Sequence, residues 1–169
     1  AKDFDDAIYF DEKKREIYVA IADVSEYVTP YSPIDAEAKT RGFSIYFPHK
    51  AVPMLPRNLS ENICSLKPNT ARLAFCFKIT LGEEGEVAKE ELLEAVIVSQ
   101  RRFNYDEVDQ ILRGEREDEI GWIKPLFALT SRLRKKRLKN AFDFRTQELR
   151  MSLDADGGLA STRFETDTD

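Results

Sequence analysis

The chain has 169 residues, of which 42% are hydrophobic and 34% charged, and its formal net charge is −5. This composition is typical of a globular protein with a core of its own, and no apolar run reaches the roughly 18 residues that a membrane-spanning helix needs. The negative charge, taken alone, argues against a nucleic-acid binder, but carboxylates that hold a metal ion lower the net charge without repelling a nucleic acid once the metal is bound.

The first elements are predicted to be a β-hairpin and a capped helix. Residues 7–10 are apolar, residues 16–24 alternate between apolar and polar side chains, and a polar turn at residues 11–15 joins them. Ser32 stands before a proline and a nearby acid, which is typical of a helix start, and we expect this helix to end at Gly42.

The middle of the chain is predicted to contain a long strand pair. We expect a strand at residues 43–47, a proline-punctuated loop at 48–56 and one helical turn at 60–63. The clearest strand covers residues 71–81 and is expected to pair with a strand at residues 90–98. Alternate side chains of the first of these are predicted to form one buried face, namely Leu73, Phe75, Phe77, Ile79 and Leu81.

The last third of the chain is predicted to hold two helices and a second hairpin. Asn104, with Glu107 three residues later, predicts a helix start with reciprocal capping. The helices are expected at residues 104–112 and 125–140, and the hairpin at residues 142–153 and 159–164 around Asp156-Gly157-Gly158. The predicted fold class is α+β, with a mainly antiparallel mixed sheet and flanking helices.

The two cysteines, Cys64 and Cys76, are too few for a disulfide framework and lack the spacing of zinc ligands. Both stand among apolar neighbours. We therefore expect buried, reduced thiols in a cytoplasmic protein.

Three carboxylates, Asp3, Asp5 and Asp6, lie within four residues at the start of the first strand. Like charges this close repel and raise one another's pKa unless they share a cation, and hard oxygen ligands favour Mg²⁺ or Mn²⁺. The alternative is a solvated turn. An EF-hand loop is excluded, because Ile8 and Lys14 stand where it needs glycine and glutamate.

The segment Ala1-Lys2-Asp3-Phe4-Asp5-Asp6-Ala7-Ile8 is similar to the signature segment of the ribonuclease II/ribonuclease R (RNB) catalytic domain. Other segments resemble that family in the same order along the chain: Val19-Ala20-Ile21-Ala22-Asp23-Val24, Arg41-Gly42-Phe43-Ser44-Ile45-Tyr46-Phe47-Pro48, Val52-Pro53-Met54-Leu55-Pro56 and Ile63-Cys64-Ser65-Leu66.

The resemblance implies a metal-dependent, processive 3′→5′ exoribonuclease that acts on single-stranded RNA and releases nucleoside 5′-monophosphates. It implies that Asp3, Asp5 and Asp6 are catalytic and help to hold Mg²⁺, with Mn²⁺ as an alternative, together with a fourth aspartate upstream of this segment. It also implies that Tyr46 and Phe144 stack on RNA bases, where the alternative for each ring is core packing.

The resemblance further implies that residues 1–169 are the N-terminal portion of one RNB-like catalytic domain, without its remainder and without cold-shock and S1 modules. We expect the isolated segment to be inactive and the missing remainder, together with other RNA-degradation proteins, to be its partners. Asp23, an acid in an apolar strand, is expected to support either the site or the fold. The competing interpretation is a non-catalytic RNA-binding or scaffolding relative.

Overall fold

The computed structural model describes residues 2–47, 49–142, 147–154 and 156–166. In chain order its elements are β1 (Asp6–Asp11), β2 (Glu16–Ala22), α1 (Pro33–Arg41), β3 (Ile45–Tyr46), β4 (Ala51–Val52), a π-helical turn (Leu59–Ile63), β5 (Ala71–Leu81), β6 (Val87–Val98), α2 (Tyr105–Arg113), α3 (Ile123–Leu138), β7 (Gln147–Leu153) and β8 (Leu159–Thr166).

The main sheet has four strands in the order β1-β2-β5-β6, and every neighbouring pair is antiparallel. Two smaller antiparallel pairs, β3 with β4 and β7 with β8, accompany it. Both predicted hairpins and the predicted long strand pair are therefore confirmed, as is the α+β class with mainly antiparallel strands. The second hairpin is confirmed from Gln147 onward, because residues 143–146 lie outside the described residues.

The helix ends follow the predicted capping. The Ser32 hydroxyl accepts a hydrogen bond from the Asp35 N–H at 3.2 Å, and Gly42 ends α1 with a φ of 77°, which favours glycine. At the start of α2, Asn104 Oδ1 accepts from the Glu107 N–H at 2.8 Å, while Glu107 Oε2 accepts from the Asn104 N–H at 3.0 Å. The predicted reciprocal cap is confirmed.

Some boundaries differ from the sequence-based expectation. The predicted loop at residues 48–56 contains β4, which pairs with β3 over two residues on each strand. Strands this short show no alternation that a sequence could reveal. The strand β6 and the helix α3 begin at Val87 and Ile123, before the predicted starts.

The prediction that one face of β5 is buried through Leu73 to Leu81 is wrong at its centre. Phe77 is 46% exposed, whereas Ala74 and Cys76, which have the opposite parity, are buried. The covered face also carries charged side chains, so the apolar alternation favoured the other face. The face that includes Phe77 continues across the sheet with the exposed side chains of Ile8 and Leu92.

The other face of the sheet has small buried side chains at its centre, Ala20, Ala74 and Cys76, and is covered near one end of β2. Ala22 forms a buried cluster with Cys64 and Leu66, and partly buried apolar side chains, including Phe4, pack against it. Because Phe4 belongs to this cluster, the core extends directly into the segment that holds the three aspartates. Both cysteines are unpaired and buried, as predicted.

Of the helices in the described ranges, none combines the length and the apolar character needed to cross a membrane.

Candidate functional site

The three aspartates lie on an acidic loop, residues 2–6, that leads into β1. The backbone of this loop is fixed by hydrogen bonds from two other segments. The Ala22 N–H donates to the Asp5 carbonyl at 2.8 Å, and the Leu66 N–H donates to the Phe4 carbonyl at 2.8 Å. The first bond continues the β1–β2 ladder by one residue beyond Asp6, so the loop is anchored to the sheet.

The side chain of Ser65 is fully buried and also binds the acidic loop. Its hydroxyl donates to the Lys2 carbonyl at 2.8 Å and accepts from the Phe4 N–H at 3.1 Å. The guanidinium of Arg102 lies 4.8 Å from the centre of the Phe4 ring, within the range of a cation–π contact. Phe4 is thus held between the core and a basic side chain.

Tyr46 joins the acidic loop from the β3–β4 hairpin. Its hydroxyl donates to Asp3 Oδ2 at 3.1 Å, and this bond raises the pKa of the Tyr46 phenol above its ordinary value. The phenol therefore remains a hydrogen-bond donor across the neutral pH range. The residue is 69% exposed, so its ring is available to a ligand.

The three carboxylates influence one another. Loss of hydration at its carboxyl raises the pKa of Asp5, and the negative charges of Asp3 and Asp6 raise it further. The loop therefore holds closely spaced negative charge. A bound cation or a proton would reduce the repulsion among the carboxylates and stabilise this site.

The carboxylate oxygens of the acidic loop meet some of the requirements of a site for a divalent cation. In residues 2–47, 49–142, 147–154 and 156–166, no three His, Cys, Asp or Glu side chains are arranged as a group that could hold a metal ion. Mg²⁺, however, is commonly held by one or two carboxylates together with water and substrate phosphate rather than by a closed protein cage. Oxygen donors on the acidic loop are suited to such an open arrangement.

Other residues singled out from the sequence have different outcomes. Phe144 lies outside the described residues, so its predicted stacking role stays a prediction. Asp23 caps the turn after β2, where its Oδ1 accepts from the Ser25 hydroxyl at 2.6 Å and from the Glu26 N–H at 3.2 Å. This supports the interpretation of Asp23 as a residue that stabilises the fold.

Sequence reasoning did not single out Ser65 or Arg102 as neighbours of the acidic loop. The sequence could have marked Ser65 as a buried polar residue, because it lies between the apolar residues Cys64 and Leu66. Arg102 carried none, since exposed arginines are common on protein surfaces.

Comparison with known proteins identifies the family. The profile of the RNB domain matches residues 1–168 of the chain. Ribonuclease R of Helicobacter pylori is 37% identical over 173 residues, which cover 100% of this chain and 26% of that protein. Ribonuclease R of Escherichia coli is 43% identical over 120 residues, which cover 69% of this chain and 15% of that protein.

Solved structures agree with the sequence comparison. Mycoplasma genitalium RNase R in complex with ribose-methylated single-stranded RNA matches 98% of this chain and 27% of its own chain, with a TM-score of 0.90 and 35% identity. Yeast Ssd1, a pseudonuclease, matches 80% of this chain and 17% of its own, with a TM-score of 0.69 and 16% identity, which is a likeness of fold alone.

The chain spans about a quarter of the length of the Helicobacter pylori relative, 26%, and of the Mycoplasma genitalium structure, 27%. The match to the RNB profile extends over almost every residue, and the acidic loop and Tyr46 lie inside it. This chain belongs to the RNB domain family.

Proposed function

We propose that the protein containing this chain is a 3′→5′ exoribonuclease that hydrolyses single-stranded RNA processively to nucleoside 5′-monophosphates. The main support is that the region matching the RNB domain, residues 1–168, contains a charged and exposed site. In this site the Tyr46 hydroxyl donates a hydrogen bond to Asp3. RNase R of Mycoplasma genitalium, which is similar over 98% of this chain, binds single-stranded RNA.

Each side chain of the site has a role that its chemistry supports. The exposed ring of Tyr46 offers a stacking surface for a base and reads no sequence, which suits an enzyme that degrades RNA of any sequence. Its hydroxyl holds the Asp3 carboxylate in one direction. Asp5 and Asp6 supply further carboxylate oxygen atoms on the same loop. Phe144 is proposed as a second stacking ring.

We propose that Asp3, Asp5 and Asp6 help to hold Mg²⁺, with Mn²⁺ as an alternative, and that Asp6 is a direct ligand. The raised pKa of Asp5 supports this, because a shared cation would relieve the repulsion among the three carboxylates. When bound, such an ion lowers the pKa of a water molecule and stabilises negative charge on phosphate. The aspartates themselves serve to place and orient oxygen donors.

The remainder of the full-length protein is the proposed partner of the exposed sheet face. Phe77 and Leu92 lie side by side on this face and are 46% and 59% exposed. Exposed apolar patches of this kind are typical of interaction surfaces. We therefore propose that the isolated segment is inactive. We also propose that other RNA-degradation proteins act with the full protein. The proposed location is the cytoplasm, where unpaired thiols such as Cys64 persist.

The test is digestion of a 5′-labelled RNA with a single-stranded 3′ tail by the full-length protein, in the presence of Mg²⁺ or of EDTA. We expect metal-dependent shortening from the 3′ end, mononucleotide products and no activity from residues 1–169 alone. Asp6→Asn should abolish cleavage and retain RNA binding. Asp106→Asn, in the first turn of α2, is the control for loss of a surface carboxylate and should cleave normally.

Cleavage by Asp6→Asn at the wild-type rate would refute the assignment of the acidic loop. Activity that persists in EDTA would refute the metal dependence. Robust turnover by the isolated segment would show that this chain carries a complete site.

The second candidate is a non-catalytic RNA-binding or scaffolding member of the family. Its support is that the fold also occurs in yeast Ssd1, a pseudonuclease. Asp3, Asp5 and Asp6 argue against it, because a protein without chemistry has no need to keep repelling carboxylates together. RNA binding without digestion by the full-length protein would favour this candidate.

A further inference from the structure

Ser65 is a polar side chain in a position that is otherwise apolar. It is 0% exposed and stands between Cys64 and Leu66, both of which are buried. Burial of a hydroxyl is unfavourable unless it is hydrogen-bonded. Here the hydroxyl donates to the Lys2 carbonyl at 2.8 Å and accepts from the Phe4 N–H at 3.1 Å. These two backbone groups stand on either side of Asp3.

Ser65 joins segments that are distant along the chain and is itself fixed to the sheet. Its bonds to Phe4 and Lys2 span 61 and 63 residues of sequence. Its own carbonyl accepts from Arg72 Nε, on β5, at 3.0 Å. The neighbouring Leu66 N–H holds the Phe4 carbonyl at 2.8 Å. The backbone before and after Asp3 is therefore tied to β5 through one residue.

We propose that Ser65 is a positioning residue, whose hydroxyl sets the direction in which Asp3 and Asp5 leave the backbone. The inference rests on the proposed exoribonuclease function. An alanine at this position leaves the Lys2 carbonyl and the Phe4 N–H without their partner but touches no aspartate side chain. Its effect on the reaction therefore passes through the backbone of the acidic loop.

The consequence should be a loss of kcat with little change in RNA binding. Misplacement of a reacting group by about 1 Å can lower a rate by about 100-fold. We expect Ser65→Ala to lower kcat by about 10- to 100-fold and to change KM for single-stranded RNA by less than about threefold. Ser65→Thr retains the hydroxyl and should recover part of the lost kcat.

The control is Ser32→Ala in the same full-length protein. The Ser32 hydroxyl also accepts a hydrogen bond from a backbone N–H, that of Asp35 at 3.2 Å, but it caps α1 and does not contact the acidic loop. Its loss should lower Tm and leave kcat within about twofold of the wild type. Hydrogen exchange supplies a readout without RNA, because the Phe4 amide should exchange about tenfold faster or more in Ser65→Ala and at the wild-type rate in Ser32→Ala.

Three outcomes overturn the proposal about Ser65 while the wild type is active. The first is an unchanged kcat in Ser65→Ala. The second is a loss of kcat in this variant that equals its loss of folded protein. The third is an exchange rate of the Phe4 amide that is the same as in the wild type. If Ser65→Ala does not fold, Ser65→Cys replaces it, because a thiol fills similar space and makes weaker hydrogen bonds. A folded Ser65→Cys with lowered kcat supports the proposal, and an unfolded one shows that Ser65 serves stability only. A wild-type protein that fails to degrade RNA refutes the proposed function instead.

Discussion

The ring and the hydroxyl of Tyr46 can be tested separately. Tyr46→Phe removes the hydrogen bond to Asp3 Oδ2, which is 3.1 Å long, and keeps the aromatic surface. Tyr46→Ala removes both. Because Tyr46 is 69% exposed, neither change disturbs the core, and effects on folding should be small.

The expected magnitudes follow from the two kinds of contact. Stacking of an aromatic side chain on a base contributes about 1–3 kcal/mol, so Tyr46→Ala should weaken binding of single-stranded RNA by about 5- to 150-fold. A hydrogen bond contributes about 0.5–1.5 kcal/mol, so Tyr46→Phe should lower kcat by about 2- to 12-fold through a less well oriented Asp3. Its RNA affinity should stay within about threefold of the wild type.

The assay is fluorescence anisotropy with a labelled single-stranded RNA, combined with single-turnover digestion by the full-length protein. Tyr31→Ala is a suitable control, since Tyr31 is 93% exposed and lies just before α1. RNA affinity that is unchanged in Tyr46→Ala would refute the stacking role. Equal loss of affinity in Tyr46→Phe and Tyr46→Ala would show that the hydroxyl, and not the ring, binds RNA.

Two further predictions concern stability. In EDTA, where no metal ion compensates the carboxylates, Asp5→Asn should raise the free energy of unfolding at pH 7 by about 0.5–1 kcal/mol and Tm by about 1–4 °C. The value is small because solvent screens the charges of this exposed site. The pKa of Asp5 is raised in the folded protein, so the wild type loses stability as the pH rises through that pKa, and the advantage of the variant should vanish at acidic pH. Thermal unfolding of both proteins from pH 3 to pH 8 tests this prediction. A variant that is less stable than the wild type at pH 7 would contradict it. Asn104→Ala removes one half of the reciprocal cap on α2 and should lower the free energy of unfolding by about 1 kcal/mol, measured by urea unfolding. An unchanged urea midpoint would mean that the ion pairs of Glu107 stabilise the helix start without the cap.

Much of the fold could be predicted because local signals agreed with the final structure. Ser32 and Gly42 delimit α1, and the length of β5 is as predicted. Acidic residues that are close in the sequence necessarily have backbones that are close in space, so Asp3, Asp5 and Asp6 could be singled out without a structure. The link between Asp3 and Tyr46 was predictable only through family resemblance, because 43 residues separate them.

The features that could not be predicted depend on long-range contacts. Which face of β5 is covered depends on where the segment with Cys64 and Leu66 lies, and the alternation of apolar side chains along one strand does not encode that choice. The pairing of β3 with β4 is similarly set by the hydrogen bonds between two very short segments. Support of the acidic loop by Ser65 required knowledge of a contact across 61 residues.

The register of the β1–β2 hairpin restricts which insertions and deletions this family can accept. Asp6 pairs with Ile21, and the Ala22 N–H binds the Asp5 carbonyl. A slip of one residue would send every side chain of β1 to the opposite face of the sheet and carry Asp6 with it. The turn before Glu16 can change in length without such a slip, so related chains should carry single-residue insertions there and not within β1 or β2, unless a bulge compensates.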